Sequence, residues 1–490
     1  MAYQQGSNTT GWTSPLFWSL FLALSARVLV AILLPGPVRP DEIYQYFEPA
    51  FRLLTGHGVI TWEWREGIRS WLMPGEIAGL LRIANFLGMG FSITFVHVVL
   101  AVFSLPLVAL FVLAGWRQAG YRGAWLFGIS GALWPDIVNA GFRPLGEYAG
   151  GNMLAAGTIA GMIALDRRRN GEPYRAGTAL FLLCGLSMGS AVALRFQFAP
   201  AVLFGGLFLF WQGGWRTLVP VTIGLIPPLA ILGIVDAMTL NYPFQSVFHN
   251  YYVNVTQGVA DKFGRKNILY FPFRYMAWWG AAGIAMVLFC IKGAKDAVFP
   301  LTMALVIIGY HSCIPHKEMS FIYPALPLLV LTATAGLARF VAGQGWTGKP
   351  FVRIVALQIS CCVLTFCSTY LPMLKDRSAP IRIQKLAFRQ TGFCGLAQLE
   401  PSDFLLQFGG YSLMPPGKPF YAFETTQQLE QNRGAYSHVL ADPSFAIFSA
   451  GARLIACSGN DRVCLYRVAS SCTGTPDFDQ FSEILQLDEK

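Results

Sequence analysis

Eleven apolar stretches, each long enough to cross the hydrocarbon core of a bilayer, recur along the first three quarters of the chain and leave few architectures open to it. They lie near residues 14–34, 91–115, 124–140, 149–165, 176–194, 196–212, 217–235, 275–291, 297–314, 320–340 and 354–373. In hydrocarbon every backbone N–H and C=O must find a partner within the protein, so successive stretches of this length read as helices. Composition agrees: 54% of the 490 residues are hydrophobic and 13% are charged, against roughly 25% charged in a soluble domain. The expected fold class is an all-α polytopic membrane protein of about eleven transmembrane helices. Pro35-Gly36-Pro37 follows the first stretch where a small-residue cleavage site would stand, so that helix reads as retained.

The net charge of +10 would suggest a nucleic-acid partner in a soluble chain. Here the cations fall in alternate short loops: Arg117 and Arg122, Arg167 to Arg169 with Arg175, Arg216, Lys292 and Lys295, and Lys349 with Arg353. That alternation is the positive-inside pattern, which explains the charge without nucleic acid. It puts segments 35–90 and 236–274, the loop 141–148 and the tail from about 374 on the outer side. Segment 35–90 is too charged and Gly-rich to span, and reads as amphipathic helices on the outer membrane surface that frame a lipid entrance, or as ordinary packing helices.

The expected division is therefore a transmembrane catalytic domain over 1–373, including the outer loop, and an extracytoplasmic α/β or α+β domain over 374–490. The tail alternates short β-like runs, Phe404-Leu405-Leu406 and Arg453-Leu454-Ile455-Ala456, with turn residues. Ser458 to Asp461 reads as a hairpin loop. Cys394, Cys457, Cys464 and Cys472 lie on the oxidising side and imply one or two disulfides of unread connectivity. The other six cysteines fall in apolar spans and read as buried thiols.

Two charged clusters flank spans, where ionisable groups are costly unless used. Arg39-Pro40-Asp41-Glu42 follows the first span, and His316-Lys317-Glu318 lies between two late ones. A partly desolvated carboxylate at 41 or 42 suits a general base, though Pro-Asp-Glu is also a good helix start. His316 and Lys317 suit a phosphate, with Lys as a point charge and His as a hydrogen-bond donor, though long basic side chains also snorkel. Arg195 is deep enough to be a second phosphate ligand; Arg274 could equally anchor at the interface among its aromatic neighbours. Together these outline a membrane enzyme acting on an anionic lipid.

Three short patterns are set aside. Gly343 to Lys349 has Pro350 where a phosphate-binding loop needs Ser or Thr, Gly185-Leu186-Ser187-Met188-Gly189 lies within a span, and Asp477-Phe478-Asp479 falls in the last residues of the tail. The absence of Cys-x-x-Cys and His-Glu-x-x-His argues against the commonest zinc sites.

Arg39-Pro40-Asp41-Glu42-x-x-Gln45-x-x-Glu48, then Thr61-Trp62-Glu63-Trp64, Arg69-Ser70 and Pro74, closely resembles the first luminal loop of the glycosyltransferase family 22 mannosyltransferases. His316-Lys317-Glu318-x-x-Phe321-x-x-Pro324 resembles that family's second signature, and Asp236 through Asn250-Tyr251-Tyr252 to Phe263-Gly264 its middle region. The resemblance implies a GT-C membrane fold and a polyprenyl- or dolichyl-phosphate mannose donor. It implies no nucleotide, no cofactor and no required metal, and an acceptor hydroxyl on a glycolipid or glycan. It further implies inversion at the anomeric carbon, with Asp41 as base supported by Glu42, and His316 and Lys317 on the donor phosphate. Arg39, Gln45, Glu63, Trp64, Arg69 and Glu318 are expected to hold the acceptor or support the loops. Two departures stand out: Arg39 replaces the usual His, and Ser320 replaces an Arg, a lost cation that Arg195 or Arg274 is expected to supply.

The compact loops suggest a bacterial member in the cytoplasmic membrane with its site facing the periplasm; Asn254-Val255-Thr256 is a sequon that would matter in an endoplasmic reticulum membrane with a luminal site. The rival readings are a GT-C transferase moving arabinose, aminoarabinose or glucose, and a lipid-linked-sugar transporter or flippase. The scarcity of charge within the spans favours an enzyme over a transporter. Acceptor identity and oligomeric state are not legible.

Overall fold

The computed structural model describes residues 13–399, 410–445, 451–458, 463–473, 476–478 and 480. Among the described residues, eight helices are long and apolar enough to cross a membrane, or nine if one bent pair is counted as a span. The difference from eleven has local causes. The expected stretches 91–115 and 124–140 fall largely in one apolar run, Ile93–Leu133, that enters the eight once; its helical geometry breaks between them as expected, at Ala119 and at Gly120, where φ is 59° and a residue without Cβ is at no steric disadvantage. Stretch 275–291 is two helices, Tyr270–Trp279 and Ala281–Gly293, bent by 116°. Stretch 297–314 is the 16-residue helix Val298–Cys313, about 24 Å long and short for a perpendicular span.

Contacts divide the chain into two compact units, one of residues 1–30 and 97–370, the other of 31–96 and 371–490. The outer loop is thus grouped with the tail, whereas the sequence reading drew its line at 373.

In the first unit small residues let helices approach closely. A Cβ on Gly185 would stand 1.9 Å from the Val221 carbonyl oxygen, and one on Gly189 2.6 Å from that of Leu225. Helices Tyr174–Leu194 and Trp215–Thr239 meet on these glycines, so the Gly185 to Gly189 pattern is a packing seam.

The second unit is built on a five-stranded sheet of order β2-β1-β3-β5-β4, with β1 Leu396–Leu399, β2 Phe420–Phe423, β3 His438–Ala441, β4 Arg453–Cys457 and β5 Cys464–Arg467. Strand β1 is parallel to both its neighbours, and β5 is antiparallel to β3 and β4. Strand side chains alternate between faces. One face carries Leu396, Phe420, Ala422, Leu440 and Leu465, and packs against Ile43, Tyr44, Phe51 and Val59 of the outer loop. The other carries Ala397, Tyr421, Phe423, Val439 and Tyr466 against Leu429 and Tyr436.

The outer loop is therefore a packed layer. Its helix Leu72–Phe86 buries Met73, Ile77, Ala78, Leu81 and Ala84 on one face, the 3.6-residue periodicity of a packing helix. Phe86, Leu87 and Met89 at its end are exposed.

Cys394 pairs with Cys472, and Cys457 with Cys464, the second bridge joining paired positions of β4 and β5. The six other cysteines are free thiols, of which Cys313 and Cys367 are exposed. Phe404 to Leu406, Gly459 to Asp461 of the expected hairpin loop, and Asp479 lie outside the described residues.

Candidate active site

In the second unit, Pro40 precedes a helical turn at Asp41 and a π-helical turn over Glu42–Phe47, a widened geometry frequent at functional sites. Glu42 is fully buried and its Oε1 accepts from the backbone N–H of Val38 (2.6 Å) and of Arg39 (3.2 Å). One acid of the pair thus folds the preceding loop back on itself. Asp41, only partly buried, does not cap the helix with its side chain. Arg39 is partly buried, and Gln45 is buried with no hydrogen-bond partner at its Oε1.

The Thr61 to Pro74 segment brings Glu63, Trp64 and Arg69 together. Arg69 pairs with Glu63 at 2.5 Å, and Trp64 packs on Trp71 with ring centres 4.6 Å apart. Burial alone would lower the Arg69 pKa, but the charge interactions with Glu63, Tyr46 and Asp41 outweigh it and raise it above the usual arginine value. Arg69 therefore lies within electrostatic reach of Asp41 as well as of Glu63.

Glu48 belongs to the motif but was not singled out as a site residue. It is fully buried; Oε1 accepts from Ser412 N at 2.7 Å and Oε2 from Val59 N at 2.9 Å. Burial raises its pKa above the ordinary glutamate value, against the opposing effect of bonds from Ser412, Val59 and Tyr411. Its i+6 spacing from Glu42 carried a weak signal, a third acid in a stretch of apolar residues.

The second motif lies in the other unit. The backbone N–H of Lys266 donates to the Pro315 carbonyl at 2.9 Å, which holds the 263–266 loop against 314–318. His316 Nδ1 donates to the Gly264 carbonyl at 3.3 Å, and Nε2 stands 3.5 Å from Glu318 Oε1. Two acceptors suit the doubly protonated ring. The bond to Glu318 raises the His316 pKa above 6.5, with burial acting against it. Lys317 is buried and donates to the carbonyls of Lys266 (3.0 Å) and Ile314. Two of its three donors are thus committed to the loop, and one is left for a ligand. Ser320 is buried, 3.4 Å from Glu318 Oε2.

Arg195 pairs with Glu147 at 2.5 Å, their side chains 11% and 4% exposed. Arg274 is exposed on the helix Tyr270–Trp279. Of the two proposed substitutes for the missing arginine, one is a buried ion-pair partner and the other is open to its surroundings.

Sequence reasoning passed over Asp136. Its carboxylate accepts from Trp134 Nε1 (2.9 Å), Trp279 Nε1 (2.8 Å) and Tyr370 OH (2.8 Å), which ties together three separate helical segments. Arg27 and Arg143 of the same unit are fully buried. An ionisable residue within an apolar run was the available signal for Asp136 and Arg27, whereas Arg143 is legible as a charge in the outer loop 141–148.

The sequence profile of the Alg9-like mannosyltransferase family matches residues 18–126 and 157–393, which contain both motifs and the 263–266 loop. The chain belongs to this family.

Among curated members, GPI mannosyltransferase 3 of Yarrowia lipolytica is 25% identical over 328 residues, 65% of this chain and 62% of the relative. GPI mannosyltransferase 3 of Candida albicans is 22% identical over 66% of this chain and 63% of the relative. The match thus spans a little under two thirds of the length of these relatives. Among solved structures, ArnT from Cupriavidus metallidurans bound to undecaprenyl phosphate superposes with a TM-score of 0.58 at 14% identity, covering 95% of this chain and 100% of that one. This family member has the GT-C, ArnT-like membrane fold with a small C-terminal sheet domain. It is an integral multi-pass membrane protein.

Proposed function

We propose that this protein is an inverting glycosyltransferase that moves mannose from a polyprenyl- or dolichyl-phosphate donor to a hydroxyl of a glycolipid or glycan. The observation that carries the reading is the family match across both motifs; the Arg69–Glu63 pair in the first and the His316–Glu318 contact in the second support it. Asp41 takes the proton of the acceptor hydroxyl as its oxygen attacks the anomeric carbon. The bond from that carbon to the phosphate oxygen breaks, and the lipid phosphate leaves as an anion. His316, held protonated by Glu318, and the remaining donor of Lys317 stabilise that leaving group. Because the phosphate arrives on a lipid and leaves as a stabilised anion, the scheme uses no metal. Arg69 with Glu63 holds the field around Asp41, Glu42 shapes the loop that presents it, and Arg39, Gln45 and Trp64 contribute to the acceptor side.

The acceptor class is supported by the names of the relatives, which are GPI mannosyltransferases. The alternation of basic loops supports a site on the outer face, periplasmic in a bacterial cytoplasmic membrane or luminal in the endoplasmic reticulum. A second reading, transfer of another polyprenyl-phosphate sugar, is favoured by the likeness to ArnT, whose structure holds undecaprenyl phosphate.

The test is transfer of radiolabelled mannose from polyprenyl-phosphate mannose into native membrane lipid extract, comparing wild type with Asp41→Asn. Transfer by wild type alone supports donor and base together. Consumption of only a different polyprenyl-phosphate sugar would move the assignment to the second reading.

A further inference from the structure

At the end of the first unit away from His316, helix ends line a partly open cavity of about 130 Å³. Two helices fix its place. Gly146–Arg169 carries Glu147 in its first turn and reaches the cavity with Asp166 and Arg169, and Val298–Cys313 starts at the cavity and ends just before His316.

The charges around the cavity do not balance. Arg117 donates to Asp166 (2.7 Å) and to Glu172 (2.5 Å), and Asp296 accepts from Arg339. Arg167 also pairs with Glu172, at 2.8 Å, so three arginines compensate the three carboxylates. Among the described residues, Arg169 by contrast donates only to the neutral amide oxygen of Gln212 at 2.5 Å, and Lys295 makes no ion pair or hydrogen bond; both side chains are exposed. Two cations without counter-charge therefore face a cavity whose wall includes Phe208, stacked on Phe299 with centroids 4.7 Å apart.

The depth is marked by tryptophan. Trp211 and Trp215, 77% and 68% exposed, flank Gln212 at the end of helix Ala199–Gly213, and exposed Trp collects at the membrane–water interface. Leu207 and Leu203 of the same helix are exposed about one and two turns further from that end, as acyl chains would require. A free anion would make no use of the apolar wall or of that flank.

We propose that this cavity is a binding site for the phosphate of an anionic glycerophospholipid, held by Arg169 and Lys295, with its acyl chains along the Leu203 and Leu207 face. Basic pockets between transmembrane helices recognise lipid headgroups in this way. The proposal is independent of the transferase reading.

The experiment follows the thermal unfolding of the purified full-length protein in detergent supplemented with phosphatidylglycerol, phosphatidylcholine or inorganic phosphate. Phosphatidylglycerol is expected to raise the midpoint, and the other two are not. The double variant Arg169→Gln/Lys295→Gln should lose most of that increment, while Arg265→Gln, which removes a charge elsewhere, should keep it. Native mass spectrometry gives a readout separate from stability, with one fewer tightly held phosphatidylglycerol expected on the double variant. Equal shifts with phosphatidylcholine, a shift reproduced by inorganic phosphate, or undiminished lipid retention by the double variant would each overturn the proposal.

Discussion

Glu48 and Ser412 are joined by a 2.7 Å bond from the backbone N–H of Ser412 to Glu48 Oε1, across 364 positions of sequence. The bond ties the outer loop to the C-terminal sheet domain. Replacing Glu48 with Gln puts an amide where two backbone donors expect oxygens, and should cost about 1–3 kcal/mol, read as a lowered thermal midpoint. Because burial raises the Glu48 pKa, the folded state holds its proton more tightly than the unfolded chain. Its contribution to stability is greatest below the ordinary glutamate value and falls as pH rises from there through the raised folded value. Glu48→Gln should flatten that part of the stability profile.

Asp41→Asn should reduce turnover by about 10² to 10⁴ with only a small loss in thermal midpoint, since this side chain is partly buried and does not cap the helix. Glu42→Gln should behave differently. It leaves the N–H groups of Val38 and Arg39 with a weaker acceptor and should lower the midpoint as well as turnover. Kinetics and melting curves on the two variants separate the roles, and equal kinetic losses with equal melting losses would remove Asp41 as the base.

Donor binding should depend on His316. Its pKa is raised, chiefly by the bond to Glu318, so the imidazolium is present below the ordinary histidine value and is lost as pH rises through the raised one. Affinity for a polyprenyl phosphate should fall over that interval, and Glu318→Gln should move the fall to lower pH. An affinity profile that is flat in wild type between pH 6 and 9 would exclude His316 as a charged ligand.

Arg195→Ala leaves Glu147 buried and without its 2.5 Å partner, a loss of about 3–5 kcal/mol. Arg195→Gln with Glu147→Gln removes both charges and should recover most of that stability. Donor affinity measured on the stable double variant then decides whether Arg195 touches phosphate: unchanged affinity would restrict it to the ion pair.

The spans and the two motifs were legible because apolar length and stranded charge are local properties. Gly280 hid a bend, since a turn inside an apolar run leaves the hydropathy of that run unchanged, whereas the break at Ala119 and Gly120 falls where Arg117 and Arg122 mark a loop in the sequence. The partners of the site residues were hidden for another reason. Lys317 gives its protons to carbonyls of Ile314 and Lys266, and backbone acceptors have no sequence signature. Glu147 was visible as a charge, but its union with Arg195 depends on how two helices cross. The grouping of residues 31–96 with the tail needed the fold itself, because Ile43, Tyr44, Phe51 and Val59 look in sequence like one face of a lipid-bound helix.

That grouping sets an order of events during synthesis. The loop that carries Asp41 leaves the ribosome among the first hundred residues, but the strands that cover its apolar face come after residue 395. Until the tail is translated, Ile43, Phe51 and Val59 have no sheet to rest on. A chain stopped before β1 could still insert its helices, yet it would carry a proposed catalytic carboxylate on an unfinished support. The apolar face of the first motif's loop is thus covered by strands that follow it by more than three hundred positions.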